Sequence, residues 1–146
     1  MLKELLTLIK WLFSSSPVDH KGLEVVEMTC FPFEEYNAMS WCGRLITRDK
    51  KDINSTTIRH ETTHLKQAQQ YSTWIGYYFD YFKEWWSNGR NYYDNVFERE
   101  AYANEDNSSY NDIYNPKNIN KYHHAKSFNQ FKNFHEWKQY LKSLKQ

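Results

Sequence analysis

The stretch Thr56–Gln67, TTIRHETTHLKQ, decides how the fold of this chain is interpreted. It contains two histidines four residues apart, His60 and His64, with Glu61 directly after the first. Ser55 is a residue type that caps helices, so we expect the stretch to lie on a helix. Residues four apart on a helix lie one turn above each other on the same face, which brings both imidazole rings to one point.

This spacing, HExxH, predicts a metal site. Both imidazoles can bind one zinc ion at roughly 2.0–2.1 Å. Glu61 projects about 100° away from His60 around the helix axis, so it cannot bind the ion beside the histidines but can reach a water molecule on it. There it can accept the proton of that water as it attacks a carbonyl group. The alternative is a polar helix face on which His60 and His64 lie at the surface without a metal.

A catalytic zinc site needs a third protein ligand and an open position. Two candidates lie downstream in EREAYANE, residues 98–105, on a separate predicted helix. Glu98 and Glu100 can each close the site, because a carboxylate on a facing helix can reach the histidines. Residue types and spacing alone leave both open.

The two motifs together resemble the gluzincins, zinc peptidases that combine HExxH with a downstream glutamate. In the membrane-bound heat-shock zinc endopeptidases and the beta-lactam sensor antirepressor peptidases, that glutamate opens the pattern E-x-x-A-D or E-x-x-x-D. Here EAYAN fits from Glu100, with Ala103 at the alanine and Asn104 in place of the aspartate. E-x-x-A-N itself is used by related antirepressor-cleaving peptidases. The resemblance therefore implies that His60, His64 and Glu100 hold Zn²⁺.

The same resemblance implies roles for two more residues. Glu61 would be the general base, and Asn104 would hold a zinc-bound histidine by a hydrogen bond. Glu100 is preferred to Glu98 because a pattern counted from Glu98 would have Tyr102 at the polar position that Asn104 fills when it is counted from Glu100. Residues 36–105 are also similar to small HExxH proteins of gut bacteria. The implied protein is a minimal zincin-like domain, a zinc metallopeptidase whose substrate is a peptide or protein.

The composition predicts one folded domain over residues 1–146. Apolar residues make up 40% of the chain and aromatic residues 18%, enough to bury a core. The net charge of +1 argues against a nucleic-acid partner. Cys30 and Cys42 form no CxxC pair, so we expect two free buried thiols and no thiolate zinc site. The lysine-rich segment after Lys121 is interpreted as a solvated helix face.

The first 13 residues, MLKELLTLIKWLF, carry an apolar stripe at helical spacing. We expect an amphipathic helix over 1–13 and a linker over 14–22. The helix is too short for a bilayer, which needs about 20 apolar residues, and no signal-peptide cleavage pattern follows it. We expect it to pack on a cytoplasmic domain. Peripheral contact with a membrane, with Trp11 at the boundary, is the alternative.

The remaining pattern predicts an α+β fold, helix-rich with a small two- to three-stranded sheet. One strand runs from Gly22 to near Pro32, and a second covers residues 38–48. We expect the second to be an edge strand because of Arg44 and Arg48, and a candidate partner for an extended peptide. Four helices follow, over 55–71, 73–86 and 96–107 and from Ser127 to the carboxyl end.

Two other functions fit the same sequence. One is a non-catalytic metal-binding or interaction module with the same fold. The other is a membrane-surface protein whose first helix and lysine-rich last helix dock on anionic lipid. The oligomeric state is open, and so is the residue that would stabilise an oxyanion. The candidates for that role are Tyr110, Tyr114, Tyr122, His123 and His124.

Overall fold

The computed structural model describes residues 1–31 and 36–144, and its architecture is α+β, as predicted. Pro32, near which the first strand was predicted to stop, lies outside the described residues. The part of the chain that is described forms a helix-rich domain with a small mixed sheet. Its elements are α1 Leu2–Ser14, β1 Glu24–Glu27, β2 Ala38–Trp41, β3 Arg44–Thr47, α2 Ser55–Ala68, α3 Trp74–Ser87, α4 Val96–Asn104 and α5 Phe134–Ser143.

The sheet has the order β1-β3-β2, with β1 parallel and β2 antiparallel to β3. The prediction of a single strand over 38–48 is wrong, because a tight turn divides it. Cys42 and Gly43 form that turn with φ angles of 48° and 78°, and such left-handed pairs suit the twist of a two-residue hairpin. A side chain at Gly43 would have its Cβ 2.3 Å from Nδ1 of His20, so the position requires glycine.

The predicted edge position holds for residues 38–41, since β2 is an outer strand, but it is wrong for the part that carries Arg44, because β3 is the central strand. The Arg44 guanidinium donates to the Cys42 carbonyl oxygen at 2.8 Å and lies 4.3 Å from the centre of the Trp11 ring. Its charge is therefore accommodated at the end of the sheet and does not guard an edge. The free edge on the α2 side belongs to β2, whose Ser40 N–H points away from β3 to Glu61.

Helix α1 packs on the sheet, as expected. Leu8 is buried, and its carbonyl oxygen accepts a hydrogen bond from Trp41 Nε1 at 2.9 Å. The Glu4 carboxylate accepts from the backbone N–H groups of Thr29 and Cys30, each at 2.8 Å. The opposite face of α1 is exposed and carries Leu2, Leu5, Leu6, Ile9 and Phe13. None of the helices in the described ranges is long and apolar enough to cross a membrane.

The predicted linker over 14–22 is packed on the domain. Pro17 is buried in a short 3-10 turn, and Ser16 Oγ donates to the Ser72 carbonyl oxygen at 2.7 Å. Both cysteines are free thiols, as predicted, although Cys30 is only half-buried.

Helix α4 lies at the centre of the helical layer, where it packs against α2 on one side and α5 on the other. Asn95 caps it by accepting from the N–H of Phe97 at 3.0 Å. Arg99 of this helix forms a buried ion pair with Asp94 at 3.0 Å. The helix ends at Asn104, earlier than predicted.

The capping residues of two helices differ from prediction for the same reason. An asparagine one position before the helix supplies the cap, because its short amide accepts from a backbone N–H in the first turn. Asn54 caps α2 in place of Ser55, and Asn133 caps α5. Ser127, predicted to begin the last helix, caps a separate 3-10 turn.

The docking of α1 predicts a pH-dependent stability. Hydrogen bonds from Thr29 and Cys30 lower the pKa of Glu4 from its usual 4.5 to about 2. A pKa lowered by folding adds stability above the unfolded value and loses it as the pH falls through the folded value. Glu4→Gln should therefore lower the free energy of unfolding at pH 7, and the difference from the wild type should shrink towards pH 2. Urea denaturation across this range measures it.

Glu24→Gln is the matched control, since Glu24 is exposed and lies 3.9 Å from Arg44 in a surface pair. It should change the free energy of unfolding little at any pH. Equal losses at pH 7 and pH 2.5 in Glu4→Gln would contradict the role given to the Glu4 carboxylate.

Candidate metal centre

Helices α2 and α4 bring three side chains together in a buried cluster. His60 and His64 come from α2 with their Nε2 atoms 3.2 Å apart. Glu98 comes from α4, with Oε2 at 3.2 Å from Nε2 of His60 and Oε1 at 3.3 Å from Nε2 of His64. All three are almost fully buried. Within the described ranges, these are the residues whose geometry suits a shared metal ion.

The other ring nitrogen of each histidine has an acceptor. Nδ1 of His60 lies 2.8 Å from the Glu105 carboxylate, and Nδ1 of His64 lies 2.8 Å from Oε1 of Gln67. The oxygen and nitrogen of the Gln67 amide cannot be exchanged without losing hydrogen bonds, because its Nε2 donates to the Phe97 carbonyl oxygen and to Glu100. Both Nδ1 atoms therefore carry hydrogen, and in the neutral ring Nε2 is left with a lone pair.

Two lone pairs and a carboxylate consequently face one point, and the arrangement fits zinc. Ligand atoms bound tetrahedrally at 2.0–2.1 Å lie about 3.3 Å from one another. The two Nε2 atoms lie 3.2 Å apart, and they meet different oxygens of Glu98, Oε2 at 3.2 Å from His60 and Oε1 at 3.3 Å from His64. One ligand atom from each residue lies within 4.8 Å of the other two, a spread that a metal ion can draw together. Two imidazoles and one carboxylate are also a donor set that catalytic zinc sites use.

Without a metal, the cluster is a buried ion-pair network. Burial opposes the charged form of His60, but its hydrogen bonds to Glu105 and Glu98 outweigh burial and raise its pKa to about 10. Burial also opposes the charge of His64, whose pKa the Glu98 carboxylate nevertheless raises. The histidines in turn hold the pKa of Glu98 well below its usual value despite burial. The site thus demands a cation, either a proton or a metal.

Glu61 lies beside this cluster. Its Oε2 accepts from the backbone N–H of Ser40 on β2 at 3.1 Å, so the strand orients the carboxylate. Glu61 lines the same cavity as His64 and Glu98. The sequence predicted this position, close to the cluster but off its ligand face.

The structure brings Glu98, and not Glu100, to the histidines. Residues two apart on a helix point about 200° apart, so only one of these carboxylates can face α2 at this point. Glu100 is fully buried and contacts α2 about one turn beyond His64, where it accepts from Gln67 at 2.8 Å as well as from Tyr110 at 2.6 Å. It is connected to His64 only through Gln67. Burial raises the pKa of Glu100 against these hydrogen bonds.

Asn104 also lies away from the histidines. Its amide donates to the Glu100 carbonyl oxygen at 2.7 Å and to the Tyr122 hydroxyl at 3.1 Å. The part that the resemblance gives to Asn104 is taken by Gln67 and Glu105, which sequence reasoning missed. The signals for them were weak: Gln67 lies three residues after His64, and three residues is a helical neighbour spacing.

Lysines of the last helix pair with the acidic residues that follow α4, next to the site. Lys138 on α5 lies 2.6 Å from Glu105 and 2.9 Å from Asp106, so it supports the carboxylate that holds His60. Lys142 pairs with Asp106 as well. The predicted solvated lysine face is therefore partly neutralised by the acids of the segment after α4.

The tyrosine whose hydroxyl bonds a member of the cluster is one that the sequence did not single out. Tyr81 on α3 donates to Glu98 Oε1 at 2.6 Å. Of the predicted oxyanion candidates, Tyr110 and Tyr114 bond Glu100, and Tyr122 bonds Asn104. The remaining two, His123 and His124, are exposed.

Comparison with known proteins indicates no function for this site. The chain matches no protein-family model, no curated protein and no solved structure. Its function must therefore be inferred from the cluster formed by His60, His64 and Glu98, from Glu61, and from the HExxH motif that contains three of these four residues.

Proposed function

We propose that this protein is a zinc-dependent peptidase. His60, His64 and Glu98 hold the metal, and Glu61 is the general base. The observation that carries the proposal is the convergence of the Nε2 atoms of two histidines and a carboxylate in a buried site, each Nε2 within 3.2–3.3 Å of the other and of one Glu98 oxygen. The HExxH motif and the resemblance to gluzincins also support it.

The residues around the cluster have distinct tasks. Zinc in such a site supplies Lewis-acid chemistry, which makes water more acidic and polarises a carbonyl group. Glu61, oriented by the Ser40 N–H, accepts a proton from the attacking water and passes it to the leaving amine. Glu105 and Gln67 keep hydrogen on Nδ1 of the histidines. Tyr81 holds one oxygen of Glu98.

A non-catalytic metal-binding module uses the same three ligands but gives Glu61 no chemical task. Removal of the Glu61 carboxylate would abolish hydrolysis in a peptidase and would change nothing in such a module. This difference makes the Glu61 variant the deciding experiment.

Contact with a membrane surface is a second candidate function, favoured by the exposed apolar face of α1. Leu6 and Ile9 lie on that face, 56% and 47% exposed, and exposed Lys3 and Lys10 flank it. Such a helix binds anionic lipid through its apolar face and its lysines together. The last helix contributes less than the sequence suggested, since Lys138 pairs with Glu105 and Asp106.

Zinc binding is the first prediction of the proposal. The purified chain should carry about one zinc ion, as three-ligand sites do. Glu98→Gln removes the anionic ligand and should lose the metal, whereas Glu100→Gln, the matched change two residues away, should retain it. Elemental analysis of the folded protein after gel filtration measures both. Zinc retained by Glu98→Gln and lost by Glu100→Gln would transfer the ligand role to Glu100.

Glu61→Gln is predicted to leave the protein folded and zinc-loaded but to lower peptide hydrolysis about 10²–10⁴-fold, the usual contribution of a general base. Glutamine keeps the size of the side chain but cannot accept the proton. A peptide library read by mass spectrometry compares the variant with wild type, and Glu24→Gln is the control. Equal cleavage of the same bonds by wild type and Glu61→Gln would contradict the peptidase proposal.

For the second candidate, the full chain should float with vesicles that contain anionic lipid and less with neutral vesicles. The double variant Leu6→Glu/Ile9→Glu should remain in the soluble fraction, because it places two charges in the apolar face. Lys132→Glu, a charge change elsewhere on the surface, is the control. Flotation that the double variant leaves intact would exclude α1 as the contact.

A further inference from the structure

A cavity of about 490 Å³ opens beside the candidate metal centre. Strand β2 forms one wall and helix α3 forms the other, while Glu61, His64 and Glu98 lie at its inner end. This volume is within the range of about 300–1,000 Å³ that small-molecule and side-chain sites occupy. The cavity is large enough to take part of a substrate.

The wall on the α3 side is apolar although tyrosines form most of it. The hydroxyl of Tyr77 donates to Gln67, that of Tyr78 accepts from the Cys42 N–H, and that of Tyr81 donates to Glu98. With the hydroxyl groups bonded to the protein, the rings supply the surface of the cavity. Burial raises the pKa of all three tyrosines, so they are neutral.

The shape of the cavity is fixed before a ligand enters. The ring of Trp41 on β2 stacks on Tyr78 with centres 4.4 Å apart, and Tyr81 stacks on Phe97 at 5.7 Å. The charged groups in the lining, Glu61 and Glu98, are acidic, and they oppose an acidic side chain. An uncharged, bulky apolar group is not repelled by these carboxylates and can pack against the rings.

A peptide lying along the outer edge of β2 could place such a side chain in the cavity. β2 pairs only with β3 in the described sheet, and the Ser40 N–H on its outer edge already holds Glu61, so a peptide beside this edge would have Glu61 as its neighbour and pair with other groups of the strand. An extended peptide can pair with an open edge and place alternate side chains into a neighbouring pocket. The chain of the substrate would then pass Glu61 while one side chain enters the cavity.

We propose that the cavity binds a large apolar side chain, aromatic or long aliphatic, of an extended peptide lying along β2, and that Phe82 at its mouth determines this specificity. The proposal names the substrate class of the peptidase proposed above and rests on it. Phe82 lines the cavity and is 58% exposed, so it is positioned to contact an entering side chain without supporting the core.

The test uses two small probes on the full-length chain. N-acetyl-L-phenylalaninamide and N-acetyl-L-alaninamide are titrated separately, with and without zinc, and protein NMR shifts give the affinities. The phenylalanine probe should bind about 10- to 100-fold more tightly, as expected for burying one large apolar side chain. Phe82→Lys should reduce that preference at least about tenfold.

Phe79→Lys is the matched control, because Phe79 is on the same helix, 69% exposed and outside the cavity lining. It should keep the wild-type preference. Equal affinity of wild type for the two probes, or an equal loss in Phe79→Lys and Phe82→Lys, would overturn the proposal. Circular dichroism checks that both variants are folded.

Failure of this proposal is distinguishable from failure of the peptidase proposal. Selective binding of the phenylalanine probe by a chain that cleaves no peptide would retain the cavity's specificity and remove the proposed hydrolysis. Cleavage of a peptide library with no preference for bulky apolar residues, unchanged in Phe82→Lys, would retain the hydrolysis and overturn the specificity.

Discussion

The structure depends on one electrostatic constraint, the burial of three acceptor groups that face each other between two helices. Unpaired lone pairs and a carboxylate in a dry interior carry a large desolvation penalty, so a positive charge must lie among them. His60, His64 and Glu98 are placed so that one cation satisfies all three. The contact between α2 and α4 is therefore a site of charge balance as well as a packing contact.

The surrounding residues make this constraint rigid. Gln67 links His64 to Glu100, and Glu105 links His60 to Lys138. Each histidine is thus tied to a second buried group on a different element. Such supporting hydrogen bonds fix ring orientation and tautomer in metal sites, and they also join α2, α4 and α5 into one unit. The stability of the helical layer and the geometry of the site are properties of the same network.

Sequence patterns predicted the parts of this architecture that are local. Helical spacing located α2 with its two histidines, and it predicted a separate helix carrying Glu98 and Glu100. The choice between those glutamates depends on the rotation of α4 relative to α2. That rotation is set by packing, which a motif within one helix does not encode. The family pattern that favoured Glu100 therefore pointed to a carboxylate that contacts Gln67 and not the histidines.

The sheet was predicted less well for a related reason. The hairpin turn at Cys42 and Gly43 lacks the Asn-Gly or Asp-Gly pair that usually marks such turns, so the chain over 38–48 looked continuous. Once the turn is present, β3 becomes central and β2 becomes the edge beside Glu61. One unrecognised turn thus changed which strand can meet a peptide.

The order of the elements along the chain also has a consequence for biosynthesis. Lys138, which supports Glu105, lies 74 residues beyond His64, which is roughly 4 to 15 seconds of translation. Glu98 and Glu105 are synthesised within that interval, 34 and 41 residues after His64, so the histidines emerge first, the carboxylates that enclose them follow, and Lys138 comes last. The hydrogen-bond network around His60, His64 and Glu98 is therefore complete only after α5 has been synthesised.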